Sequence, residues 1–244
     1  MEIFFKIYEG LSREGPGSLH SAERALRLCK GLPERPDILE PGCGSGGATL
    51  NLARLTRGTI TATDVYQPFL DVLAARARKA GVADRVRPRG MDMAALDFAP
   101  GSFDLIWCEG AAYIMGVDNA LAAWRPLLRP GGYLVFSDAV WTTDDVPDEL
   151  RTFWAEAYPA MRTAEANAAA AEAAGYTPLG HFLIESACWE DFYDEVERRI
   201  TDVEPEFGRD PDGRAILDAT RREIDLYRRY PDRYGYSLHA LRRD

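Results

Sequence analysis

At 244 residues the chain is long enough for one large domain with a substantial core. Its 29 Lys and Arg against 39 Asp and Glu give a net charge of -10, which disfavours nucleic acid as a partner, since gripping a phosphate backbone needs clustered positive charge. No apolar run approaches a membrane span, and the N-terminus lacks a basic segment followed by an apolar core, so no membrane association and a cytoplasmic location are expected.

Taken in chain order, residues 21–30 read as a helix with Ser21 as its N-cap and Glu23 near its start. A short apolar run at 37–39 reads as a buried parallel strand, followed by a glycine-dense turn and a helix over 49–57. Further strands are predicted at 59–62, 86–89, 105–108 and 133–137, with helices at 68–80 and 119–128 between them. This alternation predicts an α/β fold, a doubly wound Rossmann-like parallel sheet with right-handed connections and a ligand beyond the strands' carboxyl ends. Farther on, Leu150, Phe153, Trp154, Ala157, Tyr158 and Met161 recur at helical spacing, and the alanine-rich 164–174 stops at Gly175. A sixth strand is predicted at 178–184. Trp189, Phe192, Tyr193, Val196 and Ile200 form one apolar helical face, and Ile216, Ala219, Ile224 and Tyr227 suggest another before Pro231. A last strand is predicted at 234–241. The chain thus reads as a single domain over 1–244, with a cofactor-binding half at 1–140, substrate-side helices and the sixth strand at 141–230, and the closing strand at 231–244. The extra helices read as core, as a homodimer face, or as a lid built from 140–158 and the Trp189 helix.

The string ILEPGCGSGGATLN, residues 38–51, carries the most information. Gly42, Gly44 and Gly46 allow a tight turn and close approach of a ligand to the backbone, and the following helix points its N-terminal amides at that ligand. Asp64, at the carboxyl end of the second strand, is placed to accept hydrogen bonds from ribose hydroxyls. Glycines, strand, helix and distal acid in register point to a nucleoside-bearing cofactor. Two cofactors compete. Gly42, Gly44 and Gly47 satisfy the G-x-G-x-x-G dinucleotide pattern of an NAD(P)-linked oxidoreductase, but Glu40-Pro41 precedes them and no Ser/Tyr-x-x-x-Lys catalytic set is present.

The string EPGCGSG resembles the first motif of class I S-adenosylmethionine (SAM) dependent methyltransferases. Three further landmarks continue the resemblance: Asp92-Met93 after the third strand, SFDLIWCEGA at 102–111, and LLRPGGYLVFSD at 127–138. The opening MEIFFKIYEGLSREGPGS and the run from Trp124 to Trp141 are similar to a bacterial group of small-molecule methyltransferases of unknown substrate. The resemblance covers roughly the first 140 residues by motif spacing. It implies a seven-stranded sheet with one antiparallel edge strand, SAM as cofactor, and methyl transfer to a small-molecule acceptor. A non-catalytic SAM-binding protein is the other reading with the same cofactor.

On that resemblance Glu40, Gly42, Cys43, Gly44 and Gly46 hold the methionine part and the loop, Asp64 the ribose, and Gln67, Asp92 and Met93 the adenine. Glu109, directly after the fourth strand, faces the cleft as cofactor contact, as base, or as a carboxylate tied to backbone amides. His181 is a further catalytic candidate, although a lone strand histidine is more often structural. Tyr8, Ser18, His20, Tyr113, Trp141 and Tyr158 are candidate substrate residues. Cys29, Cys43, Cys108 and Cys188 form no C-x-x-C pair, and no His/Asp/Glu set has metal-ligand spacing, so no disulfide and no metal are expected.

Overall fold

Strand side chains alternate between two cores. Strand β1 (Asp37–Pro41) sends Ile38 to one core and Leu39 to the other, while β4 (Phe103–Cys108) alternates Leu105 and Trp107 with Ile106 and Cys108. Such continuous apolar runs are what a parallel strand buried on both faces requires. The computed structural model describes residues 2–244.

One face of the sheet is covered by α2 (Leu19–Leu26), α3 (Gly47–Leu55) and α4 (Gln67–Lys79), through Ala22, Leu52 and Leu73 among others. The other is covered by α5 (Val117–Trp124) and α7 (Ala164–Ala173), through Leu121, Trp124 and Ala171. The remaining strands are β2 (Thr59–Asp64), β3 (Val86–Gly90), β5 (Leu128–Trp141), the two-residue β6 (Arg162–Thr163), β7 (Tyr176–Leu183) and β8 (Tyr234–Arg243). The order is β3-β2-β1-β4-β5-β8-β7, with β6 paired to β5. The antiparallel strand expected at one edge is β8, and pairing places it one position in, with β7 outermost.

A third cluster caps the sheet. Helices α1 (Glu2–Tyr8), α6 (Asp148–Ala157), α8 (Ser186–Phe207) and α9 (Pro211–Arg229) bury Ile7, Trp154, Trp189, Tyr193, Leu217 and Tyr227 against one another. They reach the sheet at Ala139 of β5 and Tyr234 of β8. Those residues lie toward the carboxyl end of β5, because β8 runs antiparallel to it. The cap therefore stands where the ligand crevice of an open α/β sheet lies.

Several boundaries differ from expectation, two of them for a visible physical reason. Helix α2 begins at Leu19, not Ser21, because Ser18 is the N-cap: its hydroxyl accepts from Ser21 N at 3.0 Å, and the Ser21 hydroxyl accepts from Ser18 N at 2.9 Å. A serine at the third helical position thus fills the role that Glu or Gln plays in a capping box. Strand β5 starts five residues early, since Leu128 pairs with Phe103 ahead of the ladder that begins at Tyr133.

Candidate active site

The glycine turn leaves β1 with its carbonyl end fixed by the Cys43 N–H, which donates to Thr63 O at 3.0 Å. Gly42 and Gly44 have φ of 68° and 53°, the left-handed region that a side chain strains. A Cβ at Gly42 would lie 2.6 Å from the Ala111 methyl and 3.0 Å from Met93 Cε, and one at Gly44 would run into the Glu14 carboxylate. Their smallness is therefore demanded by the protein's own packing, before any ligand enters.

Carboxylates surround this turn. Asp64 accepts from Gly44 N at 2.9 Å through Oδ2 and from Tyr66 N at 2.9 Å through Oδ1. Glu14 accepts from Ser45 N at 3.1 Å through Oε2, while its Oε1 is buried with no partner. Glu40 is 2 % exposed, and its Oε2 also has no partner. Burial pushes the Glu40 carboxyl up to about 8, and the nearby carboxylates of Glu109 and Glu14 add to the rise. Burial likewise raises Glu14 and Asp64 above the usual carboxylate range.

A strap formed by residues 9–18 holds Glu14 there. Arg76 of α4 donates to Leu11 O at 2.7 Å, Ser12 O at 3.0 Å and the Ser45 hydroxyl at 2.6 Å, tying strap to turn. Ser12 binds the Glu195 carboxylate of α8 by its N–H at 2.7 Å and its hydroxyl at 2.8 Å. Arg13 pairs with Glu109 at 2.5 Å, and the Trp107 indole N–H donates to the other Glu109 oxygen at 2.8 Å. Arg13, Glu14 and Arg76 are residues that sequence reasoning missed. The string SREGPGS shows charge among glycines, but nothing local in it says that the charges turn toward a loop 30 residues away.

The expected site residues divide by position. Glu40, Gly42, Cys43, Gly44, Gly46, Asp64, Met93 and Glu109 gather around the turn. Gln67 opens α4 and bonds Asp71 at 2.8 Å, with its amide oxygen beside Gly90 at the end of β3. Asp92 follows β3 and accepts from Ala94 N at 2.9 Å. Tyr8, Tyr113, Trp141 and Tyr158 lie at the aromatic cap: Tyr113 packs on Tyr158 with ring centroids 5.6 Å apart, and the Tyr158 hydroxyl donates to Asp138 at 3.1 Å. Ser18 is used as a helix cap. His20 is exposed, 3.6 Å from Glu185. His181 sits exposed on the outermost strand β7, 3.6 Å from Glu165 and opposite His239. That strand is four positions from β1, about 19 Å at the usual spacing, so His181 is not brought to the turn. Glu109 is engaged on both oxygens, which suits a residue that anchors the strap better than a free base. Among the described residues, no group of three or more His, Cys, Asp or Glu side chains is gathered as a metal site, and no helix is long and apolar enough to cross a membrane.

Sheet order, glycine turn and acid-tipped second strand define the class I SAM-dependent methyltransferase fold. Residues 38–132 match the family described as a methyltransferase domain. Methyltransferase GfsG of Streptomyces halstedii is 36% identical over 134 residues, covering 51% of this chain and 48% of that protein. The chain thus spans about half the length of that relative. YjhP of Escherichia coli superposes with a TM-score of 0.83 at 22% identity, over 99% of both chains. A SAM-dependent methyltransferase from Geobacter sulfurreducens, solved with S-adenosyl-L-homocysteine, superposes with a TM-score of 0.82 at 22% identity, over 99% of this chain and 97% of that one.

Proposed function

We propose that this protein transfers a methyl group from SAM to a small-molecule acceptor. The supporting observation is the charge around the glycine turn. A dinucleotide needs free backbone amides there for its anionic pyrophosphate. Here the Gly44 and Ser45 amides already serve Asp64 and Glu14, and the buried Glu40 carboxyl adds an acceptor that a nearby cation would ionise. Such a turn repels pyrophosphate and attracts a cation. SAM carries an α-ammonium and a sulfonium, and the relative from Geobacter sulfurreducens holds its demethylated product.

The unpartnered oxygens of Glu40 and Glu14 are the acceptors that an ammonium would satisfy. Asp64 retains lone pairs on both oxygens for ribose hydroxyls. Asp92 and Met93 at the end of β3, with Gln67 beside Gly90, are the adenine-side residues. When bound, SAM supplies an electrophilic methyl on positively charged sulfur. The chain's part is to align the acceptor with that methyl and exclude water, for which the strap and the aromatic cap are placed. Glu109 keeps Arg13 in position over the turn and acts as a positioning residue. The net charge of -10 favours a small acceptor over nucleic acid.

Calorimetric titration with S-adenosylhomocysteine and with NAD tests this reading. Binding of S-adenosylhomocysteine alone is expected. NAD binding accompanied by hydride transfer, with no heat from S-adenosylhomocysteine, would overturn it.

A further inference from the structure

A cavity of about 530 Å³ opens between the strap and α8. Its size falls among small-molecule sites, which run from about 300 to 1,000 Å³. Residues 9–12 of the strap contribute to its lining. The α8 contribution is Glu195, Arg198, Arg199 and Asp202, whose spacing places them on one face of that helix. Arg76 of α4 completes it.

Three arginines and three carboxylates balance in number here, but their hydrogen bonds do not. The carboxylates are occupied. Glu195 accepts the Ser12 N–H at 2.7 Å on one oxygen and the Ser12 hydroxyl at 2.8 Å on the other. Glu9 accepts from Lys6 at 3.0 Å on each oxygen and from the Tyr66 hydroxyl at 2.5 Å. Arg76 is occupied too, on the strap and turn oxygens. Arg198 and Arg199 are not. Each uses its Nε on a backbone carbonyl, Asp194 O at 3.0 Å and Lys6 O at 3.1 Å. The terminal nitrogens of Arg199 stand 4.0 Å from Glu9 and 3.9 Å from Asp202, longer than a hydrogen bond. Those of Arg198 pair with no carboxylate among the described residues. The free hydrogen-bonding capacity of the arginines is therefore that of two adjacent guanidinium forks.

We propose that this cavity binds a small soluble phosphomonoester through the terminal nitrogens of Arg198 and Arg199. The planar guanidinium fork matches the oxygens of a phosphate group. Two negative charges are required, because Glu195 and Asp202 in the same cavity oppose a single one. The site does not depend on what the glycine turn binds. It does bear on the strap. Arg76 holds Leu11 O and Ser12 O, and its positive charge draws the same anion. An occupied cavity thus ties α8 to α4 with the strap between them, so the ligand is an effector that keeps the strap down over the turn.

The test titrates the full chain with phenyl phosphate and with phenyl sulfate, its monoanionic isostere, at about pH 7.5, where a phosphomonoester carries close to two charges. Phenyl phosphate should saturate one site below about 1 mM and bind at least about tenfold more tightly than the sulfate, the lower range for a hydrogen bond between charged groups. R198A, a change at an exposed residue, should weaken phenyl phosphate at least about tenfold. R228A removes the same charge outside the cavity and should leave the affinity unchanged. Phenyl phosphate should also slow amide hydrogen exchange over residues 9–18, and R198A should cancel that protection. Phosphatidate vesicles separate the source of the phosphate: the protein should stay in the supernatant, and pelleting that R198A abolishes would overturn a soluble ligand. No saturable binding, equal affinity for phosphate and sulfate, equal losses in R198A and R228A, or unchanged exchange in the strap would overturn the proposal.

Discussion

The glycine turn and the aromatic cap face one crevice but are built from opposite materials. Around the turn, position is set by charge and backbone: Asp64 and Glu14 on amides, Arg13 on Glu109, Arg76 on four oxygens of the strap and turn. In the cap, position is set by rings. Trp189 touches Tyr193, Tyr227, Tyr234 and Tyr236 with centroids 4.8 to 5.8 Å apart. The first arrangement suits a cofactor of fixed structure, which demands fixed partners. The second creates a shaped, low-dielectric wall of packed rings.

The contrast predicts that the two regions break differently. Trp189→Ala should be the most damaging change, costing about 3–5 kcal/mol of stability through lost packing and a cavity, read by denaturant unfolding. A loss below about 1 kcal/mol would mean that the cap is loosely packed. Asp64→Ala should leave the fold largely intact and weaken S-adenosylhomocysteine binding by about 1.5–3 kcal/mol, the worth of hydrogen bonds to a charged group. Unchanged affinity would remove Asp64 from the ribose role. Arg228→Ala should matter least. Arg228 joins Asp194 and Glu197 of α8 across to α9, but all three are exposed, and such pairs contribute about 0–1 kcal/mol. A larger loss would show that the surface ion pairs, beyond the rings, hold α8 to α9.

The same contrast explains what could be read from sequence. Most of the sheet was legible because its central strands carry their own signal: Ile38-Leu39 and Leu105–Cys108 are apolar on both faces, and alternation with helices implies parallel order, whereas the two-residue β6 has no such signal. The turn was legible because its glycines and Asp64 are close in sequence. The position of β8 between β5 and β7 was not, since strand order is decided by tertiary packing rather than by the composition of 234–243. The strap was hidden for a related reason. Arg13 and Glu109 are 96 residues apart, and a charged, glycine-rich segment has no periodicity to betray its fold. Glu223 sits in RREIDLYRR, which reads as a solvated helix face; only the packing of α9 against Tyr193 turns it inward.

The central claim is that the turn is made for a cationic cofactor, and Glu40 exposes it to a direct measurement. An unfolded glutamate titrates near 4.5, whereas the buried Glu40 titrates at about 8. The stability this group contributes is therefore complete below about 4.5 and lost as pH rises through 8, so at pH 7 its carboxyl is mostly neutral in the free protein. An ammonium placed on it favours the ionised form and expels the proton. Calorimetric titration of S-adenosylhomocysteine at pH 7, in phosphate and in Tris, should report release of up to about one proton per ligand bound, and Glu40→Gln should abolish most of that release. Tight binding with no proton release, or release unchanged in Glu40→Gln, would contradict the account.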